Sequence, residues 1–314
     1  MRLAWLRADV PHAANTLDDG AALIDALRAN HDVELFTPET ARDFAVSHER
    51  TPFDLPVYEL GGAPTSTALL PFLLRYGGAL MLRTVALPDL GAALTASRVT
   101  VVSCRSVAED LRVQYPGHQV RVAATGVSEV RQVQPAQRDQ GIPVERQSPV
   151  VFGTLSSGRT ELLRRVLDRA GLGGETAVLM ADRSPEQVLR EADVIMSVPW
   201  PWAGEPGTEA LAAMAAGKPV VVLETAGTAD WPALDPQSWR PRGRGAEAPI
   251  VVSVDPLDEE HSLVLAVSRL SADATLRSQL GTAAKDWWRL HATPQHAAAD
   301  WVQILSEAAV ERTL

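Results

Sequence analysis

Short apolar runs alternate with amphipathic helical stretches along almost the whole chain. That alternation limits the fold more than any other feature of the sequence. RLAWL (2–6), DVELF (32–36), 55–60, 79–82, RVTVVS (98–103) and QVRVAA (119–124) are predicted strands. Helices are predicted over 17–29, 68–76 and 106–114. The first has Leu23, Ile24 and Leu27 at helical spacing and Asp18 and Asp19 in its opening turn. Buried strands alternating with helices form a mostly parallel sheet covered on both faces. From 127 to 148 the periodicity lapses into Gln, Arg and Pro, the composition of a linker.

A second alternating set begins at Pro149. VVFGTL (150–155), 176–180, 193–197 and 250–254 are predicted strands, with helices at 160–170, 185–191 behind Ser184, 261–271, 273–290 and 294–308. No solenoid repeat is present. The expected architecture is α/β, with two Rossmann-like domains whose parallel sheets face each other across a cleft. The boundaries are 1–128 for the first domain, 129–148 for the linker and 149–290 for the second. A C-terminal helix, 291–314, returns towards the first domain. Open sheets of this class bind ligands at the carboxyl ends of their strands, so the cleft is the expected site.

Composition excludes several functions. At 314 residues the chain suits two domains of about 150 residues each. A net charge of −10 and a pI near 5.2 argue against nucleic acid or an anionic membrane as partner. One cysteine, Cys104, permits neither a disulfide framework nor a Cys-rich zinc site. The opening MRLAWLRADVPHAAN has its apolar run broken by Arg7, Asp9 and Pro11, and no run approaches a membrane span. The expectation is a cytoplasmic protein. The seven histidines show no metal spacing, and His291 and His296 flank a proline and read as surface. No G-x-G-x-x-G follows the first strand and no Walker loop is present, which disfavours nicotinamide and P-loop chemistry.

The stretch GEPGTEALAAMAAGKPVVVLET (204–225) carries the sharpest signal. A Gly- and Pro-rich loop opens an Ala-rich helix that stops at Gly217-Lys218-Pro219 and feeds a Val-rich strand. A helix N-terminus presents unpaired N–H groups and about half a positive charge, which suits a diphosphate. Gly207 lets backbone approach phosphate, and Thr208 can cap or donate. A carboxylate there is repelled by phosphate. Glu205 therefore either turns to sugar hydroxyls or complements the helix dipole, and for Glu209 the dipole reading comes first.

These residues, in this order, resemble family 4 of the GT-B glycosyltransferases. The phrases that carry the resemblance are Gly204, Glu205 and Gly207, then Met214, Ala215, Gly217, Pro219 and Val220 to Val222, preceded by ADVIMSVPWPWAGE (192–205). FDLPVYELGG (53–62), YGGALML (76–82), VTVVSCRSVAEDL (99–111), QVRVAATGV (119–127) and VVFGTLSSGRTELL (150–163) match in order, so the resemblance covers nearly the whole chain.

The resemblance implies a nucleotide-sugar-dependent hexosyltransferase, metal-independent and retaining, with the donor on the second domain and an unspecified acceptor on the first. It gives Glu205 the donor hydroxyls and Arg159, with Ser156 and Ser157, the pyrophosphate. Gly227 passes close to the donor, and Asp230 either binds a hydroxyl or stabilises its turn. Gly207, Thr208 and Glu209 complete the donor set. Two departures stand out. Ala212 occupies the place of a ribose-binding Glu, with Glu209 one turn earlier as a substitute. Arg83-Thr84 replaces a His-Asp pair, and an arginine stays charged and cannot act as a base. Arg83 is left to contact phosphate across the cleft, and Asp89 is the nearest other candidate.

Trp200 and Trp202 offer either a stacking platform or a packing patch. Trp287, Trp288 and Trp301 are expected to pack the returning chain onto the first domain. Lys218 reads as surface. Two other readings compete: a catalytically degenerate nucleotide-sugar binding or scaffold protein, and a non-hydrolysing epimerase of the same fold. The epimerase needs cleft acids and histidines that the sequence does not place.

Overall fold

The structure is a computed structural model. It describes residues 1–8, 17–61, 64–129, 149–155, 157–174, 176–199, 207–242 and 247–310. The first half runs β1 (Arg2–Arg7), α1 (Asp19–Arg28), β2 (Asp32–Phe36), α2 (Ala41–Arg50), β3 (Leu55–Leu60), α3 (Leu70–Tyr76), β4 (Gly78–Leu82). It continues through α4 (Leu90–Ala96), β5 (Ser97–Val102), α5 (Arg105–Gln114) and β6 (Val120–Val122). Its six strands lie in the order β2-β1-β3-β4-β5-β6, all parallel. β1 and β3 are buried on both faces, as the unbroken apolar runs RLAWL and LPVY require. The polar α2 buries only Ala41 and Phe44.

The second half runs β7 (Val150–Gly153), α6 (Thr160–Arg169), β8 (Ala177–Met180), α7 (Pro185–Glu191), β9 (Val194–Ser197), α8 (Thr208–Ala215) and β10 (Val220–Leu223). The two-residue strands β11 (Ala233–Leu234) and β12 (Pro241–Arg242) follow, then β13 (Val251–Val254), α9 (Glu259–Ala272), α10 (Ala274–His291) and α11 (Pro294–Val310). The sheet order is β12-β11-β13-β10-β9-β7-β8, parallel except for the β11–β12 pair. Helix α6 shows how the pattern becomes structure: Leu163, Val166 and Leu167 face the core and the charged residues face out.

Helix α8 is different, because Ala210 to Ala215 are all buried. Small side chains on every face let a neighbour come close. Gly217, at φ +70°, ends the helix in a Schellman motif: its N–H donates to Met214 O (2.9 Å), and Lys218 N–H donates to Ala213 O (2.9 Å). Helix α10 crosses there, and a Cβ on Gly281 would stand 2.3 Å from Gly217 O.

Each sheet carries one early helix and one late helix on the same face. In the second these are α6 and α9. In the first they are α1 and α11, the latter returning from the other end of the chain. Trp301 of α11 is buried against Trp5 of β1, ring centroids 5.2 Å apart. Asp300 accepts from Ala124 N–H (3.2 Å). The other two C-terminal tryptophans do not make this return. Trp288 packs in the core of the second half and donates its indole N–H to Val127 O (3.0 Å), while Trp287 packs on Trp231. The backbone of Val127 also donates to Ala292 O (3.0 Å), which ties the outgoing strand to the α10–α11 junction.

Candidate active site between the two sheets

In each sheet the connections from neighbouring strands leave in opposite directions at one point, between β1 and β3 in the first and between β7 and β9 in the second. Ligands of open α/β sheets bind at the carboxyl ends of strands beside such a point. Ser106, at the start of α5 beyond the carboxyl end of β5, donates to Ala226 O (3.1 Å) in the loop after β10. The carboxyl ends of the two sheets therefore meet.

At the first sheet, in-register pairing aligns Arg7 with Glu59 at the ends of β1 and β3, and Arg83 follows the end of β4 directly. Arg83 donates Nε–H to Glu59 Oε1 (3.0 Å) and Nη1–H to Asp19 Oδ2 (2.6 Å). Arg7 makes a two-armed pair with Asp18, 2.9 and 2.6 Å, and its Nε lies 3.4 Å from Glu59 Oε2. Trp5 donates its indole N–H to that same oxygen (3.2 Å). Gly20 lets the guanidinium lie against α1, since a Cβ there would meet Arg7 Cζ at 2.9 Å. Burial works to lower the Arg7 pKa, but Glu59 and Asp18 outweigh it and hold it above its ordinary value.

Two guanidiniums and three carboxylates thus form one network at the sheet edge. The sequence reading placed Arg83 in the cleft wall but not its partners. Asp18 is the N-cap of α1, as its position suggested, accepting from Ala21 N–H (2.9 Å), but it also carries half of an ion pair. The available signal was a glutamate inside the otherwise apolar LPVYEL and an arginine closing RLAWLR. A charge at the end of a fully buried strand needs a partner.

At the second sheet, α8 begins beyond the carboxyl end of β9. Gly207 is its N-cap residue and supplies no side-chain hydrogen bond. Gly207 also packs tightly, because a Cβ there would lie 3.3 Å from Ser197 Oγ. Thr208 and Glu209 are half-buried in the first turn. Burial pushes the Glu209 carboxyl above its ordinary pKa, and no hydrogen bond or ion pair to it forms among the described residues. Ala212 is fully buried. Among the described residues the helix mouth is therefore a set of backbone N–H groups without a capping side chain.

Other sequence candidates are placed as follows. Arg159 closes the turn before α6 and is ion-paired with Glu259 at the start of α9. Gly227 is buried in the loop after β10, where Thr228 Oγ1 accepts from Thr225 N–H (2.9 Å) and donates to Leu223 O (2.6 Å). Asp230 is exposed on the same loop, and Asp89 is exposed with φ +58°. Lys218 donates Nζ–H to Ala192 O (2.7 Å), closing the end of α7. Glu205, Ser156, Trp200 and Trp202 lie outside the described residues, as does the side chain of Ser157. Among the described residues no His, Cys, Asp and Glu group can hold a metal, and no helix is long and apolar enough to cross a membrane.

No protein-family model and no curated protein matches the chain. Solved structures do match along its full length. HepE of Anabaena, in complex with UDP and glucose, is 15 % identical over 98 % of this chain and 99 % of its own, with a TM-score of 0.64. The catalytic domain of starch synthase IV from Arabidopsis thaliana, bound to ADP and acarbose, is 10 % identical over 98 % and 99 %, with a TM-score of 0.71. WaaG, a glycosyltransferase involved in lipopolysaccharide biosynthesis, is 11 % identical over 94 % and 98 %, with a TM-score of 0.54. Two parallel-dominated sheets joined at their carboxyl ends, with the last helix returned to the first sheet, make this chain a protein of the GT-B fold.

Proposed function

We propose that the protein is a glycosyltransferase that moves a hexosyl group from a nucleotide-sugar donor to an acceptor held against the first domain. The observation that carries this reading is the mouth of α8. There an N-terminus without a capping side chain among the described residues stands at the carboxyl end of β9, in the half of the molecule whose strand ends meet those of the first sheet through Ser106 and Ala226. Backbone N–H groups and the helix dipole stabilise a diphosphate without a metal, and most strongly as its charge grows when the sugar–phosphate bond breaks. HepE with UDP-glucose and starch synthase IV with ADP support a nucleotide diphosphate on this fold. Arg159, Gly207, Thr208 and Gly227 are the described candidates for that ligand, with Glu205, Ser156 and Ser157 beside them in the sequence. Closure of the two domains aligns donor and acceptor. A cytoplasmic location, metal independence and a retained anomeric configuration belong to the same reading.

Arg83 favours a second reading. It is paired with Glu59 and Asp19 at the place where a titratable base would be useful, as suits a binding protein that has lost turnover. Calorimetric titration with UDP, GDP, ADP, TDP and their common sugar conjugates tests both, with Glu205→Ala as control. One nucleotide is expected to bind, with its sugar conjugate weakened by the control. Release of the nucleoside diphosphate from that conjugate, unaffected by chelator, then separates the enzyme from the binding protein. No binding across the panel overturns both readings.

A further inference from the structure

The two chain crossings between the domains are knit into one pivot. Val127 N–H donates to Ala292 O (3.0 Å), and the Trp288 indole N–H donates to Val127 O (3.0 Å). A Cβ on Gly126 would stand 2.7 Å from Pro294 Cα, so the outgoing and returning segments touch. Lys285 Nζ–H donates to Glu129 Oε1 (2.7 Å) beside them. A pivot of this kind holds two domains together without setting the angle between their sheets.

The bond from Ser106 to Ala226 lies elsewhere, between the start of α5 and the turn after β10. The N-cap residue of α5, Cys104, makes no side-chain cap, and the Ser106 hydroxyl in the first turn reaches the other domain rather than its own helix end. On the far side the turn is braced internally. Thr228 Oγ1 donates to Leu223 O (2.6 Å) and accepts from Thr225 N–H (2.9 Å), and Ala229 N–H donates to Thr225 O (2.9 Å). These bonds fix Ala226 to the end of β10, so a pull on its carbonyl moves the second sheet rather than a loose loop. Gly227, the next residue, is buried in the same turn.

We propose that Ser106 is a latch. From the first domain it holds the closed angle of the cleft, and so positions the Gly227 turn against the donor. Ser106 touches no ligand in this scheme and is a positioning residue. Its role toward the donor rests on the proposed function, whereas its hold on the cleft does not. Ser106 and Ala226 are half-buried, so water replaces the bond when the cleft opens. One neutral hydrogen bond then shifts the open–closed equilibrium by roughly two- to tenfold. A ligand that selects the closed state loses affinity by up to the same factor.

Small-angle X-ray scattering and calorimetry with UDP test this on wild type, Ser106→Ala and Ser106→Thr. Ligand-free Ser106→Ala should show a larger radius of gyration than wild type at unchanged far-UV circular dichroism. Ser106→Thr keeps the hydroxyl and should match wild type. UDP affinity should fall roughly two- to tenfold in Ser106→Ala and be restored in Ser106→Thr. Identical ligand-free scattering from all three proteins overturns the latch, and so does a threonine variant as open as the alanine one, which would assign the effect to packing. An opened cleft with unchanged UDP affinity overturns the positioning role. Wild type that binds UDP while the variants scatter and bind identically keeps the proposed function and loses the latch. An opened Ser106→Ala in a protein that binds no nucleotide keeps the latch and loses the proposed function.

Discussion

Glu59→Gln isolates the charge of the carboxylate that joins both arginines of the first sheet. Glu59 is 6 % exposed, and the Arg7 and Arg83 side chains beside it are 7 % and 15 % exposed. Each is too buried for water to replace a lost partner. Two effects oppose each other. The network holds three carboxylates and two guanidiniums, so removing one negative charge balances it. But Glu59 is the carboxylate shared by both arginines, and Asp18 and Asp19 each reach only one of them. Breaking a buried pair from one side costs about 3–5 kcal/mol. Because each arginine keeps one aspartate and Gln keeps an acceptor for Trp5, the low end applies, about 3 kcal/mol. A domain of this size then melts roughly 6–12 °C lower. Urea unfolding followed by far-UV circular dichroism measures the loss, fitted domain by domain because two domains need not unfold together. A double-mutant cycle with Arg83→Met reads the coupling directly. A Glu59→Gln variant within about 1 kcal/mol of wild type, or a cycle showing simple additivity, refutes the shared-carboxylate argument.

Glu209→Gln tests the α8 mouth. Burial raises the folded-state pKa of Glu209, so the folded state holds its proton more tightly, and an anion at the helix start favours the protonated form further. Wild-type affinity for a nucleoside diphosphate should therefore fall as pH rises through the raised pKa of the free protein towards the still higher one of the complex. In Glu209→Gln that component should vanish and affinity at neutral pH should rise; titration calorimetry of both proteins across pH 4–8 checks this, and parallel profiles refute it. Trp301→Ala removes a buried indole that packs on Trp5 across the chain's return, and should cost about 3–5 kcal/mol in the first domain's unfolding. Gly281→Ala places a methyl 2.3 Å from Gly217 O, and should cost at least about 1–3 kcal/mol in the second domain's thermal melt by separating α10 from α8.

Strands with a continuous apolar run were legible because their burial on both faces leaves little room for anything else. α2 was missed although its sequence is amphipathic, because only Ala41 and Phe44 face the core and most of its other residues are polar. β11 and β12 are two residues each and exist only through their partners. At the site, local signals were legible and distant ones were not. The start of α8 could be read from Gly207 and Thr208 because a helix boundary is written within a few residues. The Arg7–Glu59–Arg83 network joins residues 24 to 52 positions apart, so it appears only once β1, β3 and β4 lie side by side. The three C-terminal tryptophans were wrongly grouped for the same reason. Trp287, Trp288 and Trp301 sit close together in sequence, but the turn at Ala292–Thr293 sends them to different domains.

The first four strands of each sheet follow one order, but the two switch points are furnished differently, and the difference supports the proposed roles of the two domains. At the first, Arg7 and Arg83 are matched by Asp18, Asp19 and Glu59, so an arriving phosphate meets a net negative cluster and would have to displace carboxylates held at 2.6–3.4 Å. At the second, Arg159 is also paired, but α8 offers backbone N–H groups that no side chain caps among the described residues. Those donors carry no counterion to be displaced. The proposed function therefore assigns the diphosphate to the second sheet, where the attraction is dipolar and already oriented. The first sheet is better suited to a neutral, hydroxyl-bearing acceptor, for which the carboxylate oxygens of Asp19 and Glu59 are acceptors fixed in place by the arginines between them.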